Sequence, residues 1–300
     1  MENILVGDNL RLSRIVLGHW RLADWKLSVK EILKYTHQAI EIGINSFDNA
    51  DIYGNYSCEK LFGEAINQEL YLRKEIKIIT KCGLKLLSNK FPDRKIKTYD
   101  LSYNHIINSA EKSLSNFHTD YLDLLLLHRP SPLLNPEEVA RAFDDLKQSG
   151  KVLNFGVSNF SKEQFDTLDS HLNHKLVTNQ VEISASYLEH FDNGNMDYFL
   201  KSNISPMAWS PLVRGEIFNP ETEKDKRILN VTSDIAKELD EHSIAKVLIA
   251  WLLKHPANIL PIIGTGKIDR LKIICEAEIL KITDEQWFRI YNASKGKELD

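Results

Sequence analysis

The sequence is poor in cysteine. It has three in 300 residues, Cys58, Cys82 and Cys275, and it has no C-x-x-C pair. An odd number of widely spaced cysteines argues against a disulfide framework and predicts free thiols in a reducing compartment, so we expect a cytoplasmic protein. A metal-ligand cluster is missing as well, because the two histidines of HLNH (171–174) have no further ligand candidates close by. We therefore predict no metal site.

Long hydrophobic runs and an excess of positive charge are also absent. The run VLIAWLL (247–253) is far too short to cross a bilayer. The first ten residues include Glu2 and Asp8 but no basic segment followed by an apolar one, so we expect no signal peptide. With 38 basic and 42 acidic residues the net charge is -4, which argues against a nucleic acid or a membrane surface as partner.

No Gly/Ser-rich linker or low-complexity tract divides the chain, and we interpret residues 1–300 as one domain. The sequence does contain a regular alternation of short apolar runs with longer segments of helical period. Several of the runs are nearly continuous in apolar residues, which is typical of parallel strands buried on both faces. The eight predicted strands are 14–18, 44–48, 76–81, 122–128, 154–158, 178–182, 205–210 and 259–264.

The segments between these strands carry helix signals. Ser28 and Glu31 form a capping-box pattern before one of them, and Gly43 follows its end. Another segment begins with Pro136, which suits the first position of a helix, and ends before Gly150. Eight strands alternating with helices predict an α/β fold, a (β/α)8 TIM barrel. A doubly wound open sheet is the alternative, but no G-x-G-x-x-G follows the first strand.

Three segments lie outside the repeat. ILVGDNLRLS (4–13) predicts an N-terminal β-hairpin that turns at Gly7, Asp8 and Asn9. TDEQWFRIYNASKG (283–296) predicts an extra C-terminal helix. Residues 214–225 are polar and long for a connection, which predicts a mobile loop after a strand.

Polar residues collect where three successive strands end. These are Asp48, Lys81 and His128, and Tyr53 follows Asp48 on the next loop. The carboxyl ends of barrel strands surround one mouth, so we expect the four to converge there, with Asp48 and Lys81 neutralising each other. Asp51 lies between Asp48 and Tyr53, and we interpret it as a structural residue that caps or pairs within the loop.

Motifs at these strand ends resemble those of the aldo-keto reductase superfamily, in the same order and along nearly the whole chain. They are FDNADIYG (47–54), TKCG (80–83), YLDLLLLHRP (121–130), GVSNF (156–160) and AWSPLVRG (208–215). The resemblance implies a (β/α)8 barrel that reduces aldehydes and ketones with NADPH or NADH. Matched motif by motif, it also implies a catalytic tetrad of Asp48, Tyr53, Lys81 and His128.

The chemistry of carbonyl reduction explains these residue types. Hydride addition leaves negative charge on the carbonyl oxygen, so a proton donor and a positive field are needed there. Tyr53 would donate the proton, and the Lys81 ammonium would lower the Tyr53 pKa. Asp48 would hold Lys81 in place, and His128 would donate to the same oxygen and orient the substrate.

The resemblance also implies a cofactor site. Ser158, Asn159 and Gln180 match positions that hold the nicotinamide carboxamide, and Trp209 matches the aromatic residue on which the nicotinamide ring stacks. The segment that folds over the pyrophosphate matches a loop after the seventh strand. The residues implied there are Ser210, Leu212 and Arg214.

GTGKIDRLK (264–272), after the eighth strand, matches the segment that holds the phosphate of the adenosine ribose. The residues implied there are Gly264, Thr265, Gly266, Lys267 and Arg270. Lys267 and Arg270 lie three positions apart, so both can reach a 2′-phosphate. Ile273 and Ile274 replace the Glu-Asn pair that often contacts adenine in relatives. We therefore expect NADPH (NADP+), with NADH possible.

The substrate pocket is less readable. We predict a small carbonyl compound as substrate and Trp20 as a residue that lines the mouth, while Trp25 either lines it too or packs under the first loop. We expect a monomer or a weak homo-oligomer. Two other functions remain open. One is a Schiff-base lyase or aldolase that uses Lys81, although pairing with Asp48 argues against the neutral amine that such chemistry needs. The other is a nucleotide-sensing subunit without catalytic activity.

Overall fold

The structure is a computed structural model that describes residues 1–299. Within this range it has twelve strands. Eight of them fall close to the eight predicted runs, although most are shorter, and two more form the predicted hairpin. The twelve strands are β1 Asn3–Val6, β2 Leu10–Ser13, β3 Val16–Gly18, β4 Ser46–Asp48, β5 Lys77–Cys82, β6 Leu84–Lys85, β7 Thr98–Tyr99, β8 Leu124–Leu127, β9 Phe155–Ser158, β10 Leu176–Glu182, β11 Met207–Trp209 and β12 Leu260–Ile263.

Helices separate the barrel strands. They are α1 Val29–Glu41, α2 Tyr53–Tyr56, α3 Cys58–Ile66, α4 Leu72–Glu75, α5 Tyr103–Phe117, α6 Pro136–Gln148, α7 Lys162–Asp169, α8 Glu189–Asp192, α9 Asn195–Lys201, α10 Glu223–Glu238, α11 Ile244–Leu253, α12 Ile268–Cys275 and α13 Asp284–Lys295. Short 3-10 turns occur at Leu22–Trp25, Val213–Phe218 and Glu276–Glu278.

Eight parallel strands close into a barrel. In chain order β3, β4, β5, β8, β9, β10, β11 and β12 each pair with the next, and β12 pairs back with β3. The predicted (β/α)8 barrel is therefore confirmed, and the open sheet is wrong because the first and last strands are hydrogen-bonded to each other. All eight predicted strands are the barrel strands.

The register of the strands places the catalytic candidates at one end. Gly18 pairs with Asp48, and Asp48 pairs with Ile79 on β5. Lys81 lies two residues beyond Ile79, on the same face of the strand, so its side chain and that of Asp48 meet at the carboxyl end of the barrel. This end is the one that carries catalytic residues in barrels of this kind.

The predicted N-terminal hairpin is confirmed and closes the other end of the barrel. β1 and β2 are antiparallel, and their residues Ile4, Val6, Leu10 and Leu12 are buried against residues that point into the barrel. Gly7 turns between them at a φ of 66°, and a Cβ there would lie 2.5 Å from the Val177 side chain. The turn therefore requires glycine twice, for its conformation and for its close contact.

The predicted cap signals hold. Ser28 accepts a hydrogen bond from the amide of Glu31, whose carboxylate accepts one from the amide of Ser28 at 2.8 Å. Gly43 follows α1 at a φ of 93°, and Pro136 is the first residue of α6. The extra C-terminal helix is α13.

Two local interpretations were incomplete. Residues 214–225 do not form one long loop, because a 3-10 turn covers its first part and α10 begins at Glu223. Thr222 caps α10 and accepts a hydrogen bond from the amide of Asp225, a cap signature that the polar composition concealed. The antiparallel pair of β6 and β7 was not predicted, since two-residue strands leave no periodic signal.

Candidate active site

A cavity of about 910 Å³ opens at the carboxyl end of the barrel. It brings together fourteen of the seventeen residues predicted for the site, while Lys81, Gly266 and Lys267 do not line it. The fourteen are Trp20, Asp48, Tyr53, His128, Ser158, Asn159, Gln180, Trp209, Ser210, Leu212, Arg214, Gly264, Thr265 and Arg270.

Lys81 is fully buried behind the cavity and links two of its lining residues. The ammonium donates to both carboxylate oxygens of Asp48 at 2.8 Å and to the carbonyl oxygen of Asn49 at 2.7 Å. It lies 3.1 Å from the hydroxyl oxygen of Tyr53. A continuous chain from Asp48 through Lys81 to Tyr53 therefore ends at the cavity wall.

The charge of Lys81 is maintained by its partners. Burial alone would lower the Lys81 pKa, but the Asp48 carboxylate and Tyr53 outweigh it and raise the pKa above its usual value. Gln180 adds a hydrogen bond to Asp48 Oδ1 at 2.8 Å. The ammonium is thus a fixed positive charge beside the Tyr53 hydroxyl.

The Tyr53 pKa departs from the sequence prediction. Burial raises it above the usual value, and the opposing effect of Lys81 does not compensate. The predicted lowering by Lys81 is present but is outweighed, because a phenolate in this position loses more hydration than one ammonium replaces, and Asp48 adds a repulsive charge. The phenol therefore keeps its proton at neutral pH, as a proton donor must.

His128 lies beside Tyr53, with ring centroids 5.9 Å apart and nearly perpendicular planes. Its backbone amide donates to the carbonyl oxygen of Cys82 at 2.8 Å. Burial, with the charges of Lys81, Arg129 and Lys97, lowers the His128 pKa well below the usual value. The ring is neutral at neutral pH and can donate one N–H.

Asp51 is only partly paired. Its amide donates to the carbonyl oxygen of Lys81, but the buried Oδ1 has no hydrogen-bond partner among residues 1–299. Burial and the Glu59 carboxylate raise the Asp51 pKa well above its usual value. The backbone N–H of Ile52 donates to the Asp51 carboxylate, so Asp51 makes a local bond within the loop that carries Tyr53, in agreement with its structural interpretation.

The residues predicted for the nicotinamide form one hydrogen-bonded group. The Ser158 hydroxyl donates to the carbonyl oxygen of Gln180 at 2.8 Å, and the Asn159 amide donates to that hydroxyl at 2.7 Å. The indole N–H of Trp209 donates to Asn159 Oδ1 at 3.0 Å. These bonds fix the orientation of an aromatic ring and a side-chain amide at the cavity wall.

The segment predicted for the pyrophosphate is a strained turn. Ser210 and Arg214 have φ values of 51° and 55°, which residues other than glycine seldom adopt. The Arg214 guanidinium lies 5.6 Å from the centre of the Trp20 ring, and that of Arg21 lies 5.1 Å from it. Trp20, half exposed, thus connects the first loop to this turn.

The segment after β12 lies at the far end of the cavity. The carbonyl oxygen of Thr265 accepts a hydrogen bond from Tyr35. A Cβ on Gly266 would lie 2.7 Å from the Trp25 ring, so Trp25 packs against this segment and does not line the cavity. Lys267 precedes α12 as an exposed residue, and Arg270 is exposed on its first turn.

The sequence analysis missed several lining residues. The charged ones are Arg21, Lys97 and Arg129. Arg129 directly follows His128 in the sequence, and this adjacency was the available signal. Lys97 belongs to the segment between β6 and β7, whose place beside the mouth depends on the tertiary fold.

The three cysteines are buried free thiols, and Cys82 lies beside Lys81 on β5 without facing the cavity. No helix within residues 1–299 is long and apolar enough to cross a membrane.

Known proteins of one family are similar to the chain. The model of the Aldo/keto reductase family matches residues 14–295. The oxidoreductase YcsN of Bacillus subtilis is 45% identical over 299 residues, with 100% of both chains covered. A 6-dehydroglucose reductase of Agrobacterium fabrum is 39% identical over 300 residues, with 100% of both chains covered. A solved structure, the thermostable aldo-keto reductase Tm1743 with the inhibitor epalrestat, matches with a TM-score of 0.82 at 24% identity over 98% of this chain and 100% of that one. That last likeness concerns the fold.

Proposed function

Because the chain belongs to the aldo/keto reductase family, it is an oxidoreductase, and we propose that it reduces aldehyde or ketone carbonyls to alcohols with NADPH. The observation that carries the proposal is the buried chain from Asp48 through Lys81 to Tyr53, which ends at the cavity wall. It presents a protonated phenol backed by a positive charge to a ligand in the cavity.

The cavity residues fit a nicotinamide dinucleotide. Trp209 offers an aromatic ring held by Asn159, and Gln180 offers a side-chain amide to a carboxamide. Arg214 and Arg270 line the same cavity further out, where phosphates need cations. Lys267 is close to Arg270 in sequence and exposed, so a 2′-phosphate has two charged partners, which favours NADPH over NADH.

The reaction follows from what each residue can hold or donate. When bound, the reduced nicotinamide supplies hydride to the carbonyl carbon. Tyr53 donates its proton to the carbonyl oxygen, and Lys81 stabilises the phenolate that is left. Asp48 keeps Lys81 charged and aimed at Tyr53. The neutral His128 ring donates an N–H to the same oxygen and so orients the substrate.

The test is NADPH oxidation with a panel of aldehydes, diketones and quinones, compared between the wild type and Tyr53→Phe. The panel includes 6-dehydroglucose, because one relative is named for its reduction. Tyr53→Phe deletes only the hydroxyl, so NADPH binding should persist while the reduction rate falls at least about a hundredfold, as for a lost general acid.

The matched control is Tyr56→Phe, since the Tyr56 hydroxyl accepts from the Leu86 amide at 2.9 Å and does not contact Lys81. It should reduce the same aldehydes at close to the wild-type rate. Wild-type turnover by Tyr53→Phe would remove Tyr53 from the mechanism.

The Schiff-base alternative is disfavoured by the state of Lys81, whose pKa is raised by its partners and not lowered. An imine-forming amine must be neutral at working pH. Borohydride trapping of an aldehyde on Lys81 would reverse this judgement. A cofactor-sensing subunit would bind NADPH but reduce no carbonyl in the panel.

We also propose that residues 1–300 act as one catalytic domain, monomeric or weakly self-associating, in the cytoplasm. The buried free thiols suit a reducing compartment.

A further inference from the structure

The charge of the cavity is opposite in sign to that of the chain. The protein carries a net charge of -4, yet among the described residues that line the cavity Asp48 is the single carboxylate, and Lys81 already binds it. The lining cations are Arg21, Lys97, Arg129, Arg214 and Arg270. A cavity of this kind attracts an anion.

The proposed cofactor accounts for part of this charge. Arg214 and Arg270 belong to the segments proposed for the pyrophosphate and the 2′-phosphate, and Arg21 lies against Trp20 next to Arg214. Lys97 and Arg129 belong to neither segment. They lie at the tetrad end, because Arg129 follows His128 directly and the charges of both act on the His128 ring. Their charge therefore needs another explanation.

Neither cation has an ion-pair partner within residues 1–299. Each lies near an aromatic ring. The Lys97 ammonium is 5.9 Å from the centre of the Tyr99 ring, and the Arg129 guanidinium is 5.6 Å from that of Trp209. Glu182 interacts electrostatically with Arg129 but lies beyond ion-pair distance from it.

Other cations near the mouth differ from these two. Lys85 pairs with Asp100 at 3.2 Å, and Arg94 donates to the Tyr56 hydroxyl at 2.6 Å. The cavity wall beside His128 therefore keeps two cations available to a ligand.

We propose that the physiological substrate is an anionic carbonyl compound, whose carboxylate or phosphate group is bound by Lys97 and Arg129 while its carbonyl lies at Tyr53 and His128. The inference rests on the proposed reductase function and specifies its substrate class. Both cations would be specificity residues, since they contact the part of the substrate that does not react.

The competing explanation is that Arg129 only supports the Trp209 ring from the side. Loss of Arg129 would then disturb the cofactor and slow every substrate alike. A comparison of charged with neutral substrates of the same shape separates the two explanations. Only if the cations form an anion subsite does their loss change the ratio of kcat/KM for the charged substrate to kcat/KM for the neutral one.

The experiment measures kcat/KM with NADPH for two matched pairs, succinic semialdehyde with its methyl ester and glyceraldehyde 3-phosphate with glyceraldehyde. The pair with the larger preference tells whether the anion is a carboxylate or a phosphate. In the wild type the anionic member should be preferred, and the preference should shrink as ionic strength rises.

Lys97→Gln and Arg129→Gln should each lower the charged-to-neutral ratio by about fivefold, the upper range for one partly exposed ion pair, and the double variant by about twentyfold. The loss should appear mainly in KM. Arg129→Lys should restore part of the ratio. The control is Lys95→Gln, which removes the same charge from the same loop but from a residue that does not line the cavity, and its ratio should equal that of the wild type.

An unchanged ratio in the double variant, with both members of each pair slowed equally, overturns the proposal and leaves the reductase function standing. If no aldehyde of either pair is reduced, the wider carbonyl panel decides the proposed function, and binding decides the inference. Quenching of tryptophan fluorescence by γ-hydroxybutyrate, lost in the double variant and absent with its methyl ester, would support the anion subsite; equal or absent binding would refute it.

Discussion

At the scale of single residues, the site depends on one buried ammonium. Lys81 has no exposed surface and four recorded oxygen contacts, from Asp48, Asn49 and Tyr53. A charge so far from water persists only while its partners compensate its lost hydration. In our proposal Asp48 therefore supports proton donation by Tyr53, although it does not contact the reacting carbonyl.

Replacement of Asp48 by Asn tests this role. The change keeps the shape and removes the charge, so burial should lower the Lys81 pKa. Lys81 then loses its proton as pH rises, and Tyr53 loses the charge that stabilises its phenolate. We expect reduction to fall by about a hundredfold, the lower end of the range for general acid–base catalysis, and to fall further toward high pH.

The measurement is kcat/KM against pH, together with NADPH affinity and melting temperature. The control is Asp51→Asn, because the raised Asp51 pKa means that this change removes less charge. A purely structural role for Asp48 predicts a lower melting temperature with a wild-type pH profile, and that result would exclude Asp48 from catalysis.

The residue types of the site were predictable, and their energetics were not. The strand-end positions of Asp48, Lys81 and His128 follow from the periodicity of the apolar runs. The net direction of the Tyr53 pKa depends on burial, which a sequence does not contain. Arg129 was overlooked for a similar reason, since an arginine beside a histidine gives no sign that it lacks a carboxylate partner.

At the scale of elements, the barrel strands were predictable because parallel strands buried on both faces are continuous apolar runs. Most strands came out shorter than the runs, since an apolar run continues into buried residues outside the regular ladder: β8 is Leu124–Leu127 within the predicted 122–128. Capped helices such as α1 and α6 were found from their first residues. The pair β6–β7 and the start of α10 were missed, because loop composition hid them.

In our proposal, residues at the start of α12 determine the preference for NADPH over NADH. The double variant Lys267→Ala and Arg270→Ala should weaken the binding of NADPH more than that of NADH, because only NADPH has the 2′-phosphate. We expect the ratio of their KM values to change by about tenfold for the pair, within the range for two exposed ionic contacts.

Lys272→Ala is the control, since Lys272 lies on the same helix but outside the cavity. Steady-state kinetics with each cofactor give the ratio. If both cofactors are affected equally, the assignment of the phosphate to this helix start is wrong.

At the scale of the whole molecule, stability in acid depends on a buried histidine outside the catalytic tetrad. His19 is fully buried, and its Nδ1 lies 3.0 Å from Asn49 Oδ1. Burial lowers the His19 pKa to about 4. Between that value and its unperturbed value near 6.5, the unfolded chain binds a proton that the folded chain does not. The free energy of unfolding therefore falls as pH falls through this range.

Substitution of His19 by Gln should remove this acid sensitivity. From pH 7 to pH 4.5, the free energy of unfolding should fall by about 2 kcal/mol more in the wild type than in the variant, as the linkage of a single histidine requires. Denaturant unfolding at both pH values gives the difference, and carboxylates shared by both proteins cancel. His171→Gln is the control, because His171 is exposed. Parallel curves for His19→Gln and the wild type would contradict the assignment.

The N-terminal hairpin has a bearing on turnover. Since β1 and β2 fill the amino end of the barrel, the cofactor and substrate of the proposed reaction would both enter and leave through the mouth at the opposite end. A newly formed alcohol in the mouth would block the release of the oxidised cofactor. The next reduced cofactor could bind only after both have left. In an enzyme of this architecture, the release of product and oxidised cofactor limits turnover as much as the transfer of hydride and proton does.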